Sequence, residues 1–119
     1  MNKLDLTDYD IIVGVPCSKF KNILDYSNCI IVTREDEGVA LAVGAYLSGK
    51  KPLVFVQSSG FMNTLDILTS LCKPYGIKIP LLISLRTKPE HHEFCGMITE
   101  DLLKLLRLVE GKDYFLVRE

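Results

Sequence analysis

Three acids sit together in Val32-Thr33-Arg34-Glu35-Asp36-Glu37-Gly38, where an apolar strand pattern gives way to a helix pattern. The helix side, Val39-Ala40-Leu41-Ala42-Val43-Gly44-Ala45, has almost no polar residue. A carboxylate buried at such a corner is costly unless a partner meets it. Glu37, beside the glycine that opens the apolar run, is therefore the candidate for contact with a ligand.

Other reactive side chains are fewer. Ser58-Ser59-Gly60 follows an apolar run and could aim backbone N–H groups at an anion, or serve as a plain capped turn. Neither G-x-G-x-x-G nor G-x-x-x-x-G-K-[ST] occurs, so no dinucleotide or P-loop cradle is expected. His91-His92 lies in a polar stretch, but Glu90, Glu93 and Cys95 around it match no zinc spacing, and no metal site is expected. Cys17, between Pro16 and Ser18, is a possible nucleophile for which the sequence offers no base. Cys29 and Cys72 read as structural filler, and no C-x-x-C pair occurs among the four cysteines.

The elements that must position these groups alternate. Short continuous apolar runs at Asp10–Val15, Cys29–Thr33, Pro52–Gln57 and Pro80–Leu85 read as strands covered on both faces, with a last strand at Tyr114–Val117. Helix patterns fall between them: a short one over Lys19–Tyr26 with Ser18 as N-cap, then Asp36–Ser48 stopped by Gly49, Phe61–Leu71 and Thr99–Leu108. Arg86–Gly96 reads as a polar loop. The expected fold is α/β, a mainly parallel sheet with helices on both faces. In such sheets ligands bind beyond the carboxyl ends of the strands. That rule brings Pro16–Ser18, Arg34–Gly38, Gln57–Asn63 and Arg86–Gly96 to one edge.

Bulk properties exclude several classes. A chain of 119 residues, 48% hydrophobic and 24% charged, is expected to form one domain over 1–119 rather than to be disordered. A formal charge of −1 gives no nucleic-acid or membrane signal, and the absence of tryptophan weakens base stacking further. No apolar run approaches the roughly 20 residues that span a bilayer. Met1-Asn2-Lys3-Leu4-Asp5 does not read as a secretion signal, so a cytoplasmic location with free thiols is the expectation. The helix from Val39 to Leu47 lacks the polar stripe of a surface helix, which calls for a partner subunit or a large cofactor on its outer face.

Five collinear blocks carry a resemblance: Gly14–Ser18, Thr33–Gly38, Gly44–Lys51, Gln57–Gly60 with Asn63, and His92–Thr99. Together they resemble the pyrimidine-binding domain of thiamine-diphosphate enzymes, in the branch of sulfopyruvate and phosphonopyruvate decarboxylases. The resemblance covers about residues 10 to 110. It implies an α-type subunit of a decarboxylase for a pyruvate bearing an anionic group at C3, with sulfopyruvate ahead of phosphonopyruvate. In the family, the glutamate before the glycine hydrogen-bonds N1′ of the aminopyrimidine and favours the tautomer that deprotonates the thiazolium, the electron sink for decarboxylation. Glu37 takes that place here, while Glu35 and Asp36 are left as solvated or capping groups. Gln57, Ser59, Gly60 and Asn63 would flank the cofactor. Ser18 and Arg86 would face the substrate. His92 would bind its anionic group or manage protons.

The resemblance also implies what comes from elsewhere. The chain has no G-D-G motif, so a β-type partner would supply the magnesium and diphosphate site, giving a hetero-oligomer or a dimer of this domain. The domain reads as shortened at both ends relative to the family pattern, and the Arg86–His92 loop as short. A shortened, non-catalytic relative acting as an assembly or regulatory module is the alternative. A flavodoxin-like small-ligand binder is a third, resting on fold alone.

Overall fold

The computed structural model describes residues 4–118, so the reading of the first residues as no secretion signal falls partly outside it. Five strands form one sheet: β1 (Ile11–Gly14), β2 (Ile30–Ile31), β3 (Pro52–Gln57), β4 (Leu81–Leu85) and β5 (Tyr114–Arg118). Every pairing is parallel and the order is β2-β1-β3-β4-β5, the doubly wound arrangement with its switch point between β1 and β3. The central strands β3 and β4 are buried along nearly their whole length, as their unbroken apolar runs require.

Register assigns each face a row of side chains. Val13, Val54, Leu81 and Tyr114 align across four strands and enter one core with Val39, Ala42 and Leu103 of the helices. The alternate row, with Phe55 and Leu82, enters the other core with Phe20 and Leu24. Gly14 sits where these layers meet. A side chain there would overlap the Phe55 carbonyl oxygen and lie 2.7 Å from its ring, so β1 can approach β3 this closely only with glycine.

The first face carries the α-helices. Helix α1 (Glu35–Leu47) follows β2, and its acidic first turn complements the helix dipole. It ends at Ser48, where Gly49 takes a φ of +89° and the expected stop is realised. After β3 a helical run begins at once as α2 (Ser58–Phe61), tightens into a 3-10 turn (Met62–Thr64), continues as α3 (Leu65–Ile67) and widens into a π turn (Leu68–Cys72). Back-bonding hydroxyls accompany the irregularity: Thr64 Oγ1 donates to the Phe61 carbonyl at 2.6 Å and Thr69 Oγ1 to that of Leu65 at 2.7 Å. Helix α4 (Glu93–Leu105) leads to β5.

Four expectations are corrected. The helix over Lys19–Tyr26 with a Ser18 cap is instead two 3-10 turns, Ser18–Phe20 and Tyr26–Asn28, and Cys17 stands before the first. Asp25 accepts from the Ser27 amide at 3.1 Å, a local bond that competes with helix continuation. These 3-10 helices cover the second face of the sheet through Phe20 and Tyr26, together with Leu4, Leu6 and Tyr9. The strand at Cys29–Thr33 shrinks to Ile30–Ile31 at the sheet edge, with both residues exposed, because an edge strand has a neighbour on one side only. Finally, the polar loop is shorter and the last helix earlier than the pattern suggests: a 3-10 turn at Glu90–His92 runs straight into α4.

Candidate active site

The carboxyl ends of β1, β3 and β4 meet in a small polar network. Ser84 Oγ donates to Cys17 Sγ at 3.3 Å, Cys17 Sγ lies 3.7 Å from Gln57 Oε1, and Gln57 Nε2 donates to Ser59 Oγ at 2.8 Å. Cys17 is buried and its peptide is clamped by Tyr26, whose hydroxyl accepts from the Cys17 amide at 3.0 Å and donates to its carbonyl at 2.8 Å. Burial pushes the Tyr26 phenol above its ordinary pKa, so it remains a donor. These bonds fix the Gln57 carboxamide with its oxygen toward Cys17 and its nitrogen toward Ser59. Gln57 and Ser59 are half-buried at the switch point.

The acidic corner is built on the first turn of α1, where three consecutive acids diverge. Asp36 pairs with Arg34 through two bonds of 3.0 and 3.2 Å, accepts from the Glu37 amide at 3.0 Å, and its carboxyl is held below the ordinary range chiefly by the bond from Arg34. Glu37 is exposed, and its carboxylate accepts from Thr33 Oγ1 at 3.0 Å. Glu35 is half-buried and turns toward α2. Its carboxylate lies over Gly60, where a β-carbon would come within 2.5 Å of Oε2 and 2.6 Å of Cγ, and it accepts from Asn63 Nδ2 at 3.4 Å. Asn63 Oδ1 in turn accepts from Arg34 Nη2 at 3.5 Å. Glu35, Gly60 and Asn63 thus form one cluster, next to Gln57 and Ser59 along the same short turn.

The remaining candidate residues lie around this centre. Ser18 is exposed at the start of the 3-10 turn after β1. Arg86, half-buried, follows β4, and its amide donates to Ser58 Oγ at 3.1 Å. His92 is half-buried ahead of α4 and stacks on His91 with ring centroids 4.1 Å apart. Among the described residues no group of three or more His, Cys, Asp or Glu is placed to hold a metal ion. No helix among them is long and apolar enough to cross a membrane.

Of the three acids Glu35 is the one turned toward α2, and a helical wheel carries the signal for that direction. Glu35 shares a face with Gly38, Val39 and Ala42 at i+3, i+4 and i+7, all of them buried. Glu37 shares its face with Ala40, Leu41 and Gly44, all exposed. Ser84, fully buried inside an apolar strand, has no distinctive pattern, and the Ser58-Ser59-Gly60 turn does not announce that the Ser58 hydroxyl is buried against Arg86.

The fold and this edge define a parallel, doubly wound α/β protein with an acid and two carboxamides gathered near its switch point. The chain is 41% identical over 83 residues to the sulfopyruvate decarboxylase subunit alpha of Methanococcus maripaludis, a match over 65% of this chain and 50% of that protein. To the sulfopyruvate decarboxylase subunit alpha of Methanothermobacter thermautotrophicus it is 34% identical over 109 residues, 83% of this chain and 66% of that one. To the phosphonopyruvate decarboxylase of Streptomyces viridochromogenes it is 33% identical over 105 residues, 79% of this chain and 26% of that protein. No protein-family model matches. By these relationships the chain belongs to the sulfopyruvate and phosphonopyruvate decarboxylase branch. It spans about half to two thirds of the length of the alpha subunits it matches.

Proposed function

We propose that this chain acts as the α-type subunit of a thiamine-diphosphate-dependent decarboxylase whose substrate is a pyruvate with an anionic group at C3, sulfopyruvate ahead of phosphonopyruvate. The observation that carries the reading is the Glu35–Gly60–Asn63 cluster at the carboxyl edge of a sheet whose sequence relatives bear decarboxylase names. Its groups suit the aminopyrimidine end of the cofactor: one inward carboxylate as acceptor, the carboxamides of Gln57 and Asn63, the Ser59 hydroxyl, and a glycine where a side chain would intrude. When bound, the cofactor supplies the electron sink that lets carbon dioxide leave a 2-oxo acid.

This chain's residues would hold and orient that ring. The acid at the corner holds a proton at ring nitrogen N1′. Glu37 is the sequence expectation for this role, but its exposure and its bond to Thr33 favour Glu35, which is already turned toward Gly60 and Asn63. Gln57, held between Cys17 and Ser59, would present a fixed amide edge. Arg86 and His92 follow β4 and would meet the substrate's anionic end, with Ser18 on the opposite side. A β-type chain would contribute the diphosphate and magnesium site and cover the outer face of α1, where Ala40, Leu41, Gly44 and Leu47 are exposed.

The test is reconstitution. Tagged chain is combined with a G-D-G-bearing partner, thiamine diphosphate and magnesium, and carbon dioxide release is followed with sulfopyruvate and phosphonopyruvate. Release with either substrate, dependent on both chains, supports the proposal. A stable two-chain complex that never decarboxylates either would instead favour an assembly or regulatory module.

A further inference from the structure

The β3–β4 ladder stops at the pair Gln57↔Ser84, because β3 turns into α2 at Ser58. Past that point β3 no longer runs beside β4, while Leu85 still pairs with Arg118 of β5, and the chain goes on to Arg86 and, further on, His92. Ser58 fills the gap with its side chain. It is fully buried, its Oγ accepts from the Arg86 amide at 3.1 Å, and the same hydroxyl donates to the Arg86 carbonyl at 3.4 Å. One hydroxyl therefore serves both polar groups of a single residue, as a neighbouring strand would. Gly96 of α4 also packs closely against the Arg86–Thr87 segment. A β-carbon there would overlap the Arg86 carbonyl oxygen and lie 2.8 Å from Thr87 Cγ2.

We propose that Ser58 is a positioning residue: its hydroxyl extends the sheet by one residue and so sets where the Arg86–His92 loop stands over the substrate end of the pocket. The role of the loop rests on the decarboxylase reading above; the hydroxyl bridge itself does not. A buried hydroxyl bonded at both ends can be removed only by leaving a peptide amide and carbonyl without that partner, which frees the segment locally while β4 stays paired with β3 and β5.

Amide hydrogen exchange on the full chain tests the bridge, and kinetics of the reconstituted complex test its consequence. Ser58→Ala is expected to speed exchange of the Arg86 amide about tenfold or more, while the amides of Leu82 and Ile83 keep their wild-type protection. In the complex the same variant is expected to raise KM for the anionic 2-oxo acid several-fold, with half-saturation by thiamine diphosphate unchanged. Ser58→Cys, which keeps a weaker acceptor in the same place, should fall between wild type and alanine, and decides the matter if the alanine variant does not fold. An Arg86 amide that exchanges no faster in either variant overturns the bridge. Faster exchange with unaltered KM in an active complex overturns the positioning role. A wild-type complex without activity would count against the decarboxylase reading alone, since the exchange measurement still decides the bridge.

Discussion

The two glutamates of the acidic corner separate cleanly under substitution by glutamine. Glu35→Gln keeps shape and volume, and the new carboxamide oxygen still accepts from Asn63 Nδ2, 3.4 Å away in the parent. Packing over Gly60 is conserved, because the Cγ and Cδ that fill that space remain. What disappears is the negative charge, and with it the capacity to hold a proton at the ring nitrogen. A positioned acid–base group contributes about 10²- to 10⁴-fold to rate. Carbon dioxide release by the Glu35→Gln complex should fall within that range, with thermal midpoint and co-purification of the partner unchanged. Glu37→Gln exchanges one exposed acceptor for another at Thr33 Oγ1, and turnover should stay within about threefold of wild type. Both variants are assayed side by side in complex with the β-type chain at saturating cofactor. The reverse ranking, with Glu37→Gln inactive and Glu35→Gln near normal, would refute the reasoning from side-chain direction and restore the acid next to Gly38.

Three further outcomes are expected. Gly60→Ala should fold with modest loss of thermal midpoint, because the atoms nearest the added carbon all belong to the Glu35 side chain, which can swing away; the displaced carboxylate should nonetheless lower turnover by about tenfold or more, read by the same carbon dioxide assay. Gly44→Leu has open space around its new side chain and removes a helix-interior glycine, so the isolated chain should gain about 0.5–1 kcal/mol in denaturant titration. Partner capture by the same variant should collapse if α1 is the interface. Glu100 accepts two bonds from Arg118, at 3.1 and 3.2 Å, which hold its carboxyl below the ordinary glutamate range. A carboxyl lowered in the folded state adds stability that is present above its unfolded pKa and fades as pH falls through the lowered value. Urea midpoints of Glu100→Gln should therefore lose less between neutral and acid pH than those of wild type, by a small margin because the pair is partly exposed to solvent.

Strands β3 and β4 were legible to the residue or nearly so because burial on both faces leaves a continuous apolar run, and few other structures write that pattern. The run Cys29–Thr33 reads the same way, yet only Ile30 and Ile31 pair, and both are exposed. Apolar composition reports that a residue avoids water in the assembled protein, and one chain alone need not supply the cover. The short helix after β1 failed for a different reason: Asp25 and the clamp of Tyr26 on Cys17 are side-chain bonds to backbone that outcompete helix continuation, and a periodicity count does not register them. Gln57, Ser59, Gly60 and Asn63 fall together because one turn carries them all. The bond between Ser58 and Arg86 joins residues 28 apart in the chain, and only the fold brings them together.

The outward stripe of α1 and its inward acid lie on opposite faces of one helix. Glu35 lies on the buried face with Gly38, Val39 and Ala42, while Ala40, Leu41, Gly44 and Leu47 face outward. A partner seated on the outward stripe would press the first turn of α1 against the Gln57–Asn63 turn, narrowing the room in which the Glu35 carboxylate can move. Assembly and preorganisation would then be coupled through one rigid element: a contact that buried the apolar stripe would also fix the acid. That coupling would explain why a helix with an acidic first turn carries no polar stripe beyond it. A polar outer face would stabilise the lone chain in water, but would leave its one inward carboxylate on a helix with nothing behind it.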